Sequence, residues 1–115
     1  MTIKIVTSPI TRTEILEIAK NQFGVLVKAV VDIERGIMAI GGELHADEEA
    51  LLLEQGSGQE NLWGINFYPD KTGNEWIEFN SMINIRPSQK NSSRGVESLE
   101  IQKKIINIVS KLVIS

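Results

Sequence analysis

A chain of 115 residues that is 42% hydrophobic and 23% charged can bury one core unaided, and it reads as a single domain over 1–115. Having no cysteine, it has no disulfide framework, thiolate zinc site or cysteine nucleophile, which fits a reducing, cytoplasmic setting. A net charge of −3 and a pI near 5.2 speak against nucleic acid as a partner, and no run reaches the ~18 apolar residues of a membrane span.

Residues 2–6 (TIKIV) alternate as a short strand. Thr11 then has the position of an N-cap with Glu14 three residues on, the signature of a capping box. Ile15, Ile18, Ala19 and Phe23 follow at helical spacing, and Gly24 ends a helix over 12–23. From residue 25 the period shortens. VLVKAVVDI and IMAIGGELHA flank Arg35-Gly36 and predict a hairpin with those two residues as its loop. That loop places Ile33 opposite Met38, Val31 opposite Ile40 and Ala29 opposite Gly42 on a buried face. The other face, turned to solvent, then carries Val30, Asp32, Lys28, Glu43, His45 and Asp47, with Lys28 opposite Glu43.

ALLLEQ and LWGINFYP read as a second hairpin around 56–61, although ADEEALLLEQ also fits a short helix capped by Asp47. Pro69 closes the strand, because proline cannot donate to a ladder. WIEF and MINIR supply further strand material, and Arg86 is extended because a proline follows it. The polar loop PSQKNSSRG leads to the clearest helix, about Ser98 to Val113. Its stripe of Ile101, Ile105, Ile108 and Leu112 is widened by Ile106, Val109 and Val113. Either that stripe is buried within its own domain, or part of it covers a partner subunit in a homodimer. The expected fold class is α+β: an antiparallel β-meander sheet flanked by an N-terminal and a C-terminal helix.

Charge is unevenly spread. Residues 36–70 hold seven acids (Glu43, Asp47, Glu48, Glu49, Glu54, Glu60 and Asp70) and no lysine or arginine. Residues 86–111 reverse the balance, with Arg86, Lys90, Arg94, Lys103, Lys104 and Lys111 against Glu97 and Glu100.

Two constellations could carry chemistry. In GGELHADEE the only histidine is flanked by acids, and Glu43, His45 and Asp47 on one strand face could hold a divalent metal ion. No other cofactor is expected. The plainer reading is a solvated acidic turn. The second constellation is Asn84, Arg86, Ser88, Asn91 and Arg94, where arginines, amides and hydroxyls precede a helix N-terminus. Such a segment suits a small anionic ligand, a phosphate or carboxylate. The plainer reading there is a loop whose Asn and Ser side chains bond their own backbone. Trp63, Phe67 and Phe79 are assigned to packing, and Trp76 and Tyr68 to a pocket or interface. There is no nucleophile elbow, and GSG at 56–58 lacks the Lys-Ser/Thr of a phosphate loop.

The stretches KAVVDIERGIMAIGGELHADEEALLLEQGS, LWGINFYP and SMINIRPSQKNSSRG resemble, almost end to end, a family of small bacterial proteins classed as a domain of unknown function. The resemblance implies no activity. In that family the loop reads Asn-Arg-Ser-Arg where this chain has Asn91-Ser92-Ser93-Arg94, so Ser92 stands at a basic position. Ser98 and Leu99 stand where the family has Asp and Pro, both compatible with a helix start.

Three functional expectations follow. The first is a cytosolic binding module for a small anion at 84–95. The second is a metal-assisted hydrolase, with Glu43, His45, Asp47 and, as a further ligand, Glu48 on the ion and Arg86 and Arg94 steadying a phosphate-like substrate. The third is an interaction or regulatory protein acting through its C-terminal helix.

Overall fold

The computed structural model describes residues 2–115. In chain order it forms β1 (Lys4–Val6), β2 (Ile10–Thr11), α1 (Arg12–Asn21), β3 (Val27–Asp32), β4 (Ile37–Ile40), α2 (His45–Glu54), β5 (Leu62–Phe67), β6 (Ile77–Glu78), α3 (Leu99–Leu112) and β7 (Val113–Ile114). Five strands make one antiparallel sheet in the order β1-β4-β3-β5-β6, and β2 pairs with β7 in a separate parallel ribbon. The fold is α+β, with helices near the N-terminus and at the C-terminus, as expected. A third helix, α2, realises the helical alternative for ADEEALLLEQ, with its N-cap at Leu44 rather than Asp47.

The helix starts follow their sequence signals. Thr11 accepts from the Glu14 N–H, and Glu14 accepts in return from the Thr11 N–H, both at 3.1 Å, so the capping box forms. Ser98 caps α3 by accepting from the Ile101 N–H. Ile105, Val109 and Leu112 of α3 and Ile15 and Ala19 of α1 pack on one sheet face, against Ala29, Val31, Met38, Ile40, Ile65 and Phe67.

The hairpin is real, but its register differs from the expected one. Val31 lies opposite Met38 and Ala29 opposite Ile40, so four residues, Ile33 to Gly36, close the loop. The cause is Asp32. Its Oδ1 accepts from the N–H groups of Glu34 and Arg35, and the Gly36 N–H bonds the Asp32 carbonyl, building a longer turn that ends at Gly36 with φ +68°. A slip of two residues preserves alternation, so the same side chains still share a face.

The face expected to be wet is buried. Val30, Ile37, Ala39 and Leu62 pack beneath Leu52 of α2. Glu43, His45 and Asp47 are therefore not on a strand: β4 stops at Ile40, Gly41 turns with φ +89°, and His45 opens a helix. The topology explains why. β5 pairs with β3 rather than β4, so β4 and β5 run parallel with β3 between them, and parallel strands need a crossover, usually helical. HADEEALLLE, rich in Ala, Glu and Leu, supplies it. The expected second hairpin is therefore absent.

MINIR is not a strand either. Met82–Asn84 form a single 3₁₀ turn that begins with the Ser81 hydroxyl accepting from the Ile83 N–H, and Arg86 makes one isolated bridge to Asn91. No helix among the described residues is long and apolar enough to cross a membrane.

Ser81 lies directly over Gly64 of β5, where an added Cβ would come within 2.5 Å of the Ser81 Cβ. That atom is fixed to backbone and cannot swing aside. Gly64→Ala should destabilise by about 1–3 kcal/mol in urea melts. Gly58→Ala, whose Cβ would meet only the mobile end of Glu60, should cost much less. Equal losses at both positions would contradict this account of the packing.

Candidate functional site

The segment 84–95 spends most of its polar groups on itself. Asn84 is fully buried. Its Oδ1 accepts from the Gly64 N–H at 2.8 Å, while its Nδ2 donates to the carbonyls of Gly64 at 2.9 Å and Arg94 at 3.0 Å. One amide thus stands in for a neighbouring strand along β5, beyond the reach of β6. Asn91 donates to the carbonyls of Asn84, Ser93 and Gly95 and accepts from the Glu97 N–H, tying both ends of the loop together. Ser88 is exposed and lines neither cavity described below.

Arg86 is committed as well. Its guanidinium donates to the carbonyls of Gln59 and Leu62 and lies 4.2 Å above the Trp63 ring. Burial draws it below the ordinary arginine value, while Glu49 and Glu60 oppose that shift. The loop also carries its own anion. The Glu97 carboxylate accepts from the N–H groups of Ser92 at 2.7 Å and Ser93 at 2.9 Å, which holds its pKa below the usual carboxylate range. Two N–H groups of the loop are thus already filled by a carboxylate of the same segment.

The acidic stretch is dispersed. Glu43 and Asp47 are exposed, and His45 is buried with its Nε2 donating to the Ile65 carbonyl at 2.8 Å. That bond assigns the tautomer and leaves Nδ1 as an acceptor. Burial lowers the His45 pKa most strongly, and Lys28 and Arg94 lower it further, so the ring is neutral at pH 7. Lys28 donates to the Glu43 carbonyl at 2.9 Å rather than meeting its carboxylate across a ladder. Among the described residues no three His, Asp or Glu side chains gather as a metal site would require.

Two surface cavities stand out. The larger, about 240 Å³, lies between Trp76 and the end of α3. Arg12 is its only Lys or Arg, and that guanidinium is already bonded to the Pro69 and Lys71 carbonyls and stacked on Trp76 at 4.1 Å. The smaller, about 180 Å³, is lined by Lys28, His45, Ser81, Arg94, Leu44 and Met82 among others, with no carboxylate. Here one residue from each sequence-derived cluster, His45 and Arg94, comes together. Backbone bonds set the Arg94 position, its carbonyl accepting from the Ser81 N–H and from Asn84. Among the described residues its side chain makes no hydrogen bond or ion pair. Leu44, at the N-cap of α2, has no side-chain oxygen to offer the first-turn N–H groups of that helix. Sequence reasoning did not nominate Lys28, Leu44, Ser81 or Met82. Lys28 had a signal, its place on the same hairpin face as His45; Ser81 and Met82 reach the site only through the fold of the loop.

The family described as "Protein of unknown function (DUF5674)" matches residues 4–112. The chain belongs to it. No curated protein and no solved structure matches the chain.

In this member of the DUF5674 family, Glu48 of α2 is fully buried. Its Oε2 accepts from the Gly42 N–H at 2.9 Å, and its Oε1 has no partner. Burial pushes its pKa up to about 9, against the opposing pull of the Gly42 N–H and Lys28. Glu48 is therefore protonated at neutral pH and leaves the Lys28 charge uncompensated. Between the ordinary value of 4.5 and about 9 the folded chain keeps a proton that the unfolded chain releases, so stability falls as pH rises. Glu48→Gln removes that dependence. In thermal or urea melts it should match the parent near pH 4, then exceed it by roughly 1.4 kcal/mol more per pH unit up to about pH 9. A constant gap at all pH values would contradict a buried protonated Glu48.

Proposed function

We propose that the protein is a binding module for a small anion, a phosphate or carboxylate, held in the cavity between the start of α2 and Arg94. One observation carries the reading. Lys28 and Arg94 both line a cavity that has no carboxylate in its wall, and the Arg94 side chain is left without an internal partner where the guanidiniums of Arg86 and Arg12 are bonded to backbone carbonyls. Arginine recognises planar and tetrahedral oxyanions through paired N–H donors, and lysine adds a point charge. The first turn of α2 adds a dipole of the right sign, and His45, being neutral, adds no charge of its own. Asn84, Asn91 and Glu97 take the role of scaffold. Their bonds fix the backbone that presents Arg94, and they do not themselves meet the ligand. A cytoplasmic setting, in which small phosphates and carboxylates abound, belongs to the same proposal.

Thermal unfolding in the presence of phosphate tests it. Phosphate at 100 times its dissociation constant should stabilise the fold by about 2.7 kcal/mol. Arg94→Ala and Lys28→Met should each abolish or sharply reduce that gain. Lys90→Ala, which removes an exposed cation of the same loop outside the cavity, should leave it intact. A gain retained equally in all three variants would contradict the site.

A further inference from the structure

Lys28 and Arg94 face a wall of different chemistry. Leu44 is 55% exposed and Met82 66% exposed, and both line the same cavity, with Ile83 beside them. An inorganic oxyanion uses none of that surface. Large apolar side chains exposed together at a concave site mark a place where something apolar is bound.

We infer that the ligand is an amphipathic small anion, in which a carboxylate or phosphate head meets Lys28 and Arg94 and an apolar chain or ring covers Leu44 and Met82. This rests on the anion-site reading and adds the ligand class to it. The size is consistent. At roughly 30 Å³ for each water-sized group, a volume of about 180 Å³ holds on the order of six. A carboxylate head fills part of it and leaves room for several carbons, with the rest of the chain lying along the open rim. Met82 suits the task, because an unbranched thioether adapts to chains and rings of different shape.

Calorimetric titration with acetate and with hexanoate separates the two readings. Each fully buried CH₂ strengthens binding by a factor of about four. On a half-open rim, hexanoate should bind at least tenfold tighter than acetate. The double variant Leu44→Ala/Met82→Ala, which removes apolar surface without adding a capping oxygen, should bring hexanoate down to the acetate level while leaving acetate unchanged, and Arg94→Ala should weaken both. Equal affinities for acetate and hexanoate, both lowered by Arg94→Ala, would overturn the amphipathic ligand and keep the anion site. Absence of binding by either, with no response to phosphate, would remove both readings. Binding to vesicles of anionic phospholipid without binding to monomeric hexanoate would also overturn the inference, in favour of a membrane surface.

Discussion

Val30 and Val31 sit side by side in β3, both fully buried, one facing α2 and the other facing α1 and α3. A strand buried on both faces needs a cover on each, and burying one valine or leucine side chain contributes roughly 1.5–3 kcal/mol. With α1 and α3 committed to one side, only the segment after β4 is free to cover the other. That requirement stops β4 at Ile40, turns the chain at Gly41 and lays α2 across Val30, Ala39 and Leu62. The start of α2 then falls beside Lys28, and His45 is drawn inward to the Ile65 carbonyl. The cavity is a by-product of how the sheet is covered.

The second constraint acts at the open edge of β5. β6 pairs with it only at Asn66 and Phe67, leaving the backbone of Gly64 without a strand neighbour on that side. The Asn84 amide fills the position, and Asn91 and Glu97 brace the loop that delivers it. A buried unpaired backbone group costs about as much as a lost hydrogen bond, so such an amide is tightly held. Rigid backbone at Asn84 also means a fixed Arg94 carbonyl, and hence a cation presented at a defined place. Stability and presentation of the candidate site share one set of bonds.

Much of this was legible in the sequence, and the misses have identifiable causes. The capping box of α1, the Ser98 N-cap of α3 and the apolar stripes of both helices are local signals and were read with nearly correct ends. The hairpin faces were legible because alternation survives a two-residue slip; the register was not, since it depends on which turn the Asp32 side chain builds. α2 was left undecided between hairpin and helix, and its start was placed at Asp47 rather than Leu44, because GGELHADEE alternates acids and apolar residues in a way that fits a wet strand as well as a helix start. Only the pairing of β5 with β3 decides between them, and that pairing is a long-range fact. The loop 84–95 was recognised as unusual from its amides and arginines. Which of those groups face inward could not be read, because Asn84 and Asn91 find their partners on β5 and across the loop rather than nearby in sequence.

The chain's single histidine allows a direct test of the central claim that an anion sits between Lys28 and Arg94. NMR can follow the His45 ring alone through a pH titration, with and without phosphate. Without it, His45 should titrate below the ordinary histidine value of 6.5, because burial and the two cations disfavour the charged ring. A bound anion offsets those cations, so phosphate should raise the His45 pKa, and Arg94→Ala should remove the response. A His45 pKa unmoved by phosphate at concentrations that stabilise the fold would place the anion elsewhere and contradict the account.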